Sequence, residues 1–139
     1  MATRSRIAIE TESGIVNAIY CHWDGYVEGV GRTLFNHYDK EKLEKLIKLG
    51  DISSLREKIE PIGEHHTFMN PEDNVTVAYH RDRGEDFHST HYLNIDDLFD
   101  NSFENGVEYV YCLNKDGVWL VNSYGIEVTP LYDLLKDNN

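Results

Sequence analysis

Polar and apolar residues alternate over residues 5–10, the signature of a half-buried strand. Glu12, Ser13 and Gly14 mark a turn, and residues 15–21 return apolar on both faces. The pair predicts a hairpin whose second strand is the more central. Three glycines between His22 and Gly31 break the pattern, after which Val30, Leu34, Phe35 and Tyr38 resume near helical spacing. Asp39 is placed to cap a helix whose apolar stripe is Leu43, Leu46, Ile47 and Leu49, with Gly50 suited to the position after its end. Ser54 and Glu57 have capping-box spacing and predict a short helix over 55–59, ended by Pro61 and Gly63.

Residues 64–74 read as a polar loop and 75–80 as a third strand. The charged run 81–86, with Gly84 inside it, predicts a departure from the sheet. Residues 87–93 suggest another strand, and Asn94 a cap for a helix through Leu98 and Phe99. Residues 107–113 and 118–122 flank Asn114-Lys115-Asp116-Gly117 and predict a second hairpin, which residues 124–128 extend or bulge. Thr129 as N-cap and Pro130 at the first helical position open a closing helix carrying Leu131, Leu134 and Leu135. No repeat, linker or low-complexity stretch divides residues 1–139. The expectation is a single α+β domain, a mainly antiparallel sheet of about five strands packed by short helices.

Charge narrows the partners. The 139 residues carry 13 Lys and Arg against 25 Asp and Glu, a net charge of −12. Seven of the excess negative charges fall in residues 93–139. A phosphate backbone needs clustered cations, so direct nucleic-acid binding is not expected. An acidic face can instead imitate nucleic acid toward a basic partner. No apolar run approaches the ~18 residues of a spanning helix, and residues 1–7 lack the apolar core of a secretory signal. A soluble, cytoplasmic protein is expected, with Cys21 and Cys112 as reduced, buried thiols.

Four groups carry candidate chemistry. Gly25, Gly29 and Gly31 with Arg32 follow a strand and open a helix, where backbone amides attract anions, although the spacing matches neither GxGxxG nor a Walker loop. Arg4, Arg6, Arg81 and Arg83 stand near strand ends and suit a phosphate or carboxylate, or pair with Asp24, Asp82, Glu85 and Asp86. His22, Trp23, Asp24 and Tyr26 offer an acid/base pair and aromatic rings for stacking. His65, His66, His80, His88 and His91 cluster along the chain, but without HxH or HExxH spacing. No metal, cofactor or catalytic residue is assigned, and no serine sits in a GxSxG elbow.

The run 3–9, the segments Ile19-Tyr-Cys-His-Trp-Asp-Gly-Tyr26, Glu28-Gly-Val-Gly-Arg-Thr-Leu34 and Asn36-His-Tyr38, then Leu49-Gly-Asp-Ile-Ser-Ser-Leu55 and Val77-Ala-Tyr-His-Arg-Asp-Arg-Gly-Glu-Asp86, resemble a family of small, uncharacterised bacteriophage and prophage proteins. The resemblance covers residues 3–90 and implies a phage accessory protein acting in the bacterial cytoplasm against a host system. Three readings follow. The first is a non-enzymatic binder of a host protein or of a small phosphorylated, nucleotide-like ligand, using the arginines, His22, Trp23, Tyr26 and the glycine loop. The second is an acidic nucleic-acid mimic that blocks a host nuclease or CRISPR effector. The third is a small phosphodiesterase or nuclease using His22, Asp24 and residues 81–86. Tyr109, Tyr111 and Tyr124 on edge-prone hairpins suggest a homodimer through a sheet or an aromatic patch. The binding reading also expects residues 22–32 and 81–86 to meet at one rim of the sheet.

Overall fold

The computed structural model describes residues 2–136. β1 (Arg4–Glu10) and β2 (Val16–Cys21) form the expected hairpin, with Ser5 opposite Cys21 and Glu10 opposite Val16, but the first strand, not the second, is the more central in the sheet. A π-turn (Val27–Gly31) leads into α1 (Arg32–His37), and α2 (Lys40–Ile47) follows. Asp39 caps α2, its carboxylate accepting the Lys42 amide at 2.9 Å. The chain continues through β3 (Ile52–Ser54), β4 (Val77–Ala78), α3 (Tyr79–Arg83), β5 (Thr90–Tyr92) and α4 (Ile95–Asn101). It ends with β6 (Val107–Leu113), β7 (Trp119–Ser123), β8 (Val128–Pro130) and α5 (Leu131–Leu135).

The α+β class holds, but the sheet is larger and more mixed than expected. It has eight strands in the order β4-β3-β2-β1-β6-β7-β8, and β5 pairs with β2 beside that path. The two hairpins are joined through a parallel pairing of β1 with β6, and β3 also lies parallel to β2. β3, the strand not expected from the sequence, is three residues long, too short to show a period, and β4, β5 and β8 are two or three residues long.

Alternation along β1 and β2 sets two faces. Ile7, Ile9, Ile19 and Cys21 point into the main core, where Leu34, Leu43, Leu46, Tyr111 and Leu131 meet them. Ala8, Val16, Ala18, Val110 and Cys112 face the other way and are covered by Leu98 and Phe99 of α4. Because α4 covers only part of that second face, β1 and β2 carry polar residues onto the remainder.

Four local expectations change. No helix forms over 55–59: the Arg56 amide donates to Thr76 Oγ1 and the Lys58 amide to the Asn74 carbonyl, holding the segment against residues 74–76. The third strand stops after two residues, because Asp82 Oδ2 takes the Ala78 amide at 2.8 Å and the chain winds into α3, ended by Gly84 at φ +72°. Thr129 stays in β8 opposite Val121, so Pro130 becomes the N-cap of α5. Tyr111 is not a surface aromatic: it is fully buried and donates its hydroxyl to the Gly25 carbonyl at 2.7 Å.

Candidate functional site: an arginine hollow on the second face

The side chains of Arg4 and Arg6 on β1 share a face with Tyr20 and His22 at the end of β2, and Arg6 pairs directly opposite Tyr20. Arg6, Tyr20, Asp51, His88 and Asn105 line a hollow of about 240 Å³. Arg6 is 5% exposed. Its Nε donates to the Ser102 carbonyl at 2.8 Å and its Nη1 to Thr90 Oγ1 at 3.4 Å. Among the described residues no carboxylate lies within 4.0 Å of this guanidinium. A buried guanidinium stays charged and is ordinarily matched by an anion. Here neutral oxygens alone hold it, in a chain with twelve excess negative charges.

Asp51 shapes the rim of the hollow. β5 pairs with β2 over residues 16–18 and β3 pairs at Cys21, so Tyr20 falls between them. Asp51 Oδ1 fills the gap by accepting the Tyr20 amide at 2.9 Å. Its Oδ2 lies 2.7 Å from His88 Nδ1, and its own amide donates to the His88 carbonyl. A ring whose Nδ1–H donates to a carboxylate presents Nε2 as an acceptor when neutral. The His88 side chain is 65% exposed, while that of Asp51 is 19% exposed.

Tyr20 hydroxyl and His22 Nδ1 lie 2.8 Å apart, and Trp23 sits edge-on to His22 with ring centroids 4.8 Å apart. Burial raises the Tyr20 pKa, against the opposing pull of Arg4 and Arg6. Burial and then the Arg4 charge lower that of His22, which favours a neutral ring. Arg4 donates from Nη1 to the Asn105 carbonyl at 2.8 Å. Trp23 is 45% exposed. The hollow holds a buried positive charge, and the exposed Trp23 ring packs against His22 beside Tyr20.

The other expected site residues lie elsewhere. Asp24, Tyr26 and Gly29 line a separate hollow of about 210 Å³ with His37, Arg56, Glu57 and Asn74. The glycine-loop amides are spent internally: Gly29 donates to the Tyr26 carbonyl and Val30 to the Asp24 carbonyl. They are not an anion cradle. A Cβ on Gly29 would stand 2.4 Å from the Asp24 carbonyl oxygen, and one on Gly31 3.2 Å from the Tyr111 ring, so both glycines serve close packing. Arg32 makes a two-pronged pair with Glu28 at 2.9 and 3.1 Å. Arg81 is consumed by Asp82 and by the Ile59 and Thr76 carbonyls. Arg83 pairs with Glu85 and lies over the rings of Phe68 and Tyr79. The expected meeting of residues 22–32 with 81–86 therefore does not build the hollow; β1 and β2 build it with Asp51 and His88. Arg81 and Asp82 bind each other and Asp24 lines the second hollow, so none of the three lines the hollow at Arg6.

The histidines disperse as well. His66 meets Asp82, His80 the Glu85 carbonyl and His91 Asn17. Among the described residues no three His, Cys, Asp or Glu side chains are placed to hold one metal ion. No helix among them is long and apolar enough to cross a membrane. Comparison with protein-family models, curated proteins and solved structures found no match.

Proposed function

We propose that the protein binds a small phosphorylated ligand bearing a planar ring, with the phosphate at Arg6 and the ring beside His22 and Trp23. The observation that carries this reading is Arg6, a buried guanidinium with no carboxylate within 4.0 Å among the described residues. A phosphate oxygen supplies the missing negative charge, and a guanidinium fork matches two such oxygens. The exposed Trp23 adds the flat surface that a nucleobase stacks on. In the bacteriophage setting that the resemblance implies, capture of a host nucleotide signal makes the protein an accessory factor against host defence.

Thermal unfolding against a panel of mononucleotides, cyclic nucleotides and inorganic phosphate tests the reading. A ligand that binds only the folded chain stabilises it by about 2.7 kcal/mol at one hundred times its Kd. At least one nucleotide raises Tm in the native protein and not in Arg6→Met. A panel that leaves Tm unchanged removes the proposal.

A further inference from the structure

Beside Arg6, the same hollow holds a group that binding alone does not require. His88 is exposed and oriented by a carboxylate: Asp51 Oδ2 stands 2.7 Å from Nδ1, and Asp51 is itself fixed by the Tyr20 amide. That arrangement holds one tautomer and leaves Nε2 to accept a proton. Tyr20 lines the same hollow, and its hydroxyl lies 2.8 Å from His22 Nδ1. A base, an acid and a buried cation facing one 240 Å³ space are the parts of an acid–base hydrolytic site.

We propose that the hollow hydrolyses a phosphodiester, with His88 as general base, Tyr20 as general acid and Asp51 as the residue that positions His88. The proposal rests on the binding reading, since Arg6 must first seat the phosphate. A diester carries one negative charge, which matches the single buried guanidinium. In the step, a water oxygen forms the new bond to phosphorus while the bond to the leaving oxygen breaks. The water proton passes to His88 Nε2. The leaving oxygen keeps the electron pair of its broken bond and takes the Tyr20 hydroxyl proton. Solvent then carries a proton from His88 back to Tyr20, so diester and water become monoester and alcohol with nothing left over.

Bis(p-nitrophenyl) phosphate and a 3′,5′-linked dinucleoside monophosphate are the probes, and dimethyl phosphate reports binding through its effect on Tm. The native chain is expected to hydrolyse the probes faster than buffer. His88→Ala and His88→Gln are expected to lose about 100-fold of that rate while keeping the Tm rise with dimethyl phosphate. The His88 ring is exposed, so both variants retain the core, and two substitutions guard against one failing to fold. Asp51→Asn should shift the pH profile as well as lower the rate, which a purely structural role would not do. A native rate equal to buffer, or unchanged in both His88 variants, overturns the catalytic proposal while a retained Tm rise leaves binding standing. Absence of a Tm rise in the native chain with dimethyl phosphate and with every nucleotide overturns both.

Discussion

Arg6 on β1 stands directly opposite Tyr20 on β2, and the two side chains line one hollow. Their adjacency brings a buried positive charge beside a phenol whose pKa burial has raised. Ser102 and Thr90 hold the guanidinium with neutral oxygens. An unmatched buried charge costs stability, and removing it returns part of that cost. Loss of its hydrogen bonds acts the other way, by about 1–3 kcal/mol. Arg6→Met, similar in length and uncharged, is therefore expected to change stability in urea by no more than about 2 kcal/mol. A loss well above that would make Arg6 chiefly a structural residue.

The thiols should be silent in the native state. Cys21 and Cys112 are both fully buried, and burial pushes each pKa up to about 12. The thiolate is the reactive form. Native protein at pH 8 should leave a disulfide reagent unreacted, and both thiols should react after denaturation. A raised folded pKa means that this protection contributes stability below the ordinary thiol value and loses it as pH climbs toward about 12. Rapid native labelling of either cysteine would show that the sheet opens more readily than its packing indicates.

Acid should weaken the junction of β4 and α3. The Asp82 side chain is 4% exposed. Burial opposes its charge, but Arg81, the Ala78 amide and His66 outweigh that and lower its pKa. A lowered folded value places the stabilisation above the ordinary carboxylate range and removes it as pH falls below about 4. Asp82→Ala should cost about 3 kcal/mol at neutral pH, because it strands the partly buried Arg81. The same variant should also flatten the acid limb of a stability–pH curve. A neutral-pH stability equal to native would contradict this.

Gly25→Ala tests a close backbone approach. An added Cβ would stand 2.7 Å from the Thr3 carbonyl oxygen and 2.8 Å from Ser5 Cβ. Backbone, not a movable side-chain tip, occupies the nearest position, so the chain must shift. A loss of about 1–3 kcal/mol is expected from chemical denaturation. Gly14→Ala is a contrasting control: its φ is +93° but nothing lies within 4 Å, so its cost comes from backbone strain alone.

What could be read from the chain follows the length of the signal. β6 was legible because seven residues, Val107–Leu113, carry strand formers throughout. The caps Asp39 and Asn94 were legible because a short side chain reaches an amide three residues on, as both do here. Ser54 and Glu57 share that spacing, yet Thr76 and Asn74, distant in sequence, claimed the amides of Arg56 and Lys58 first. At the site, alternation alone places Arg4 and Arg6 on one face of a strand, and Tyr20 with His22 on one face of the next. Asp51 was missed, and His88 was read only as one of a histidine cluster, because each leaves a different connection and they meet only through folding. Arg81 and Arg83 looked equivalent to Arg6 by residue type, whereas packing paired them with Asp82 and Glu85 and left Arg6 without a carboxylate within 4.0 Å among the described residues.

Calorimetric titration of the nucleotide panel into the native chain and into Arg6→Met addresses the anion seat directly. Measurable binding of at least one phosphorylated nucleotide by the native chain is expected, with affinity reduced at least tenfold in Arg6→Met, about 1.4 kcal/mol. Equal affinity in the two proteins, or no heat from any member of the panel, would contradict it.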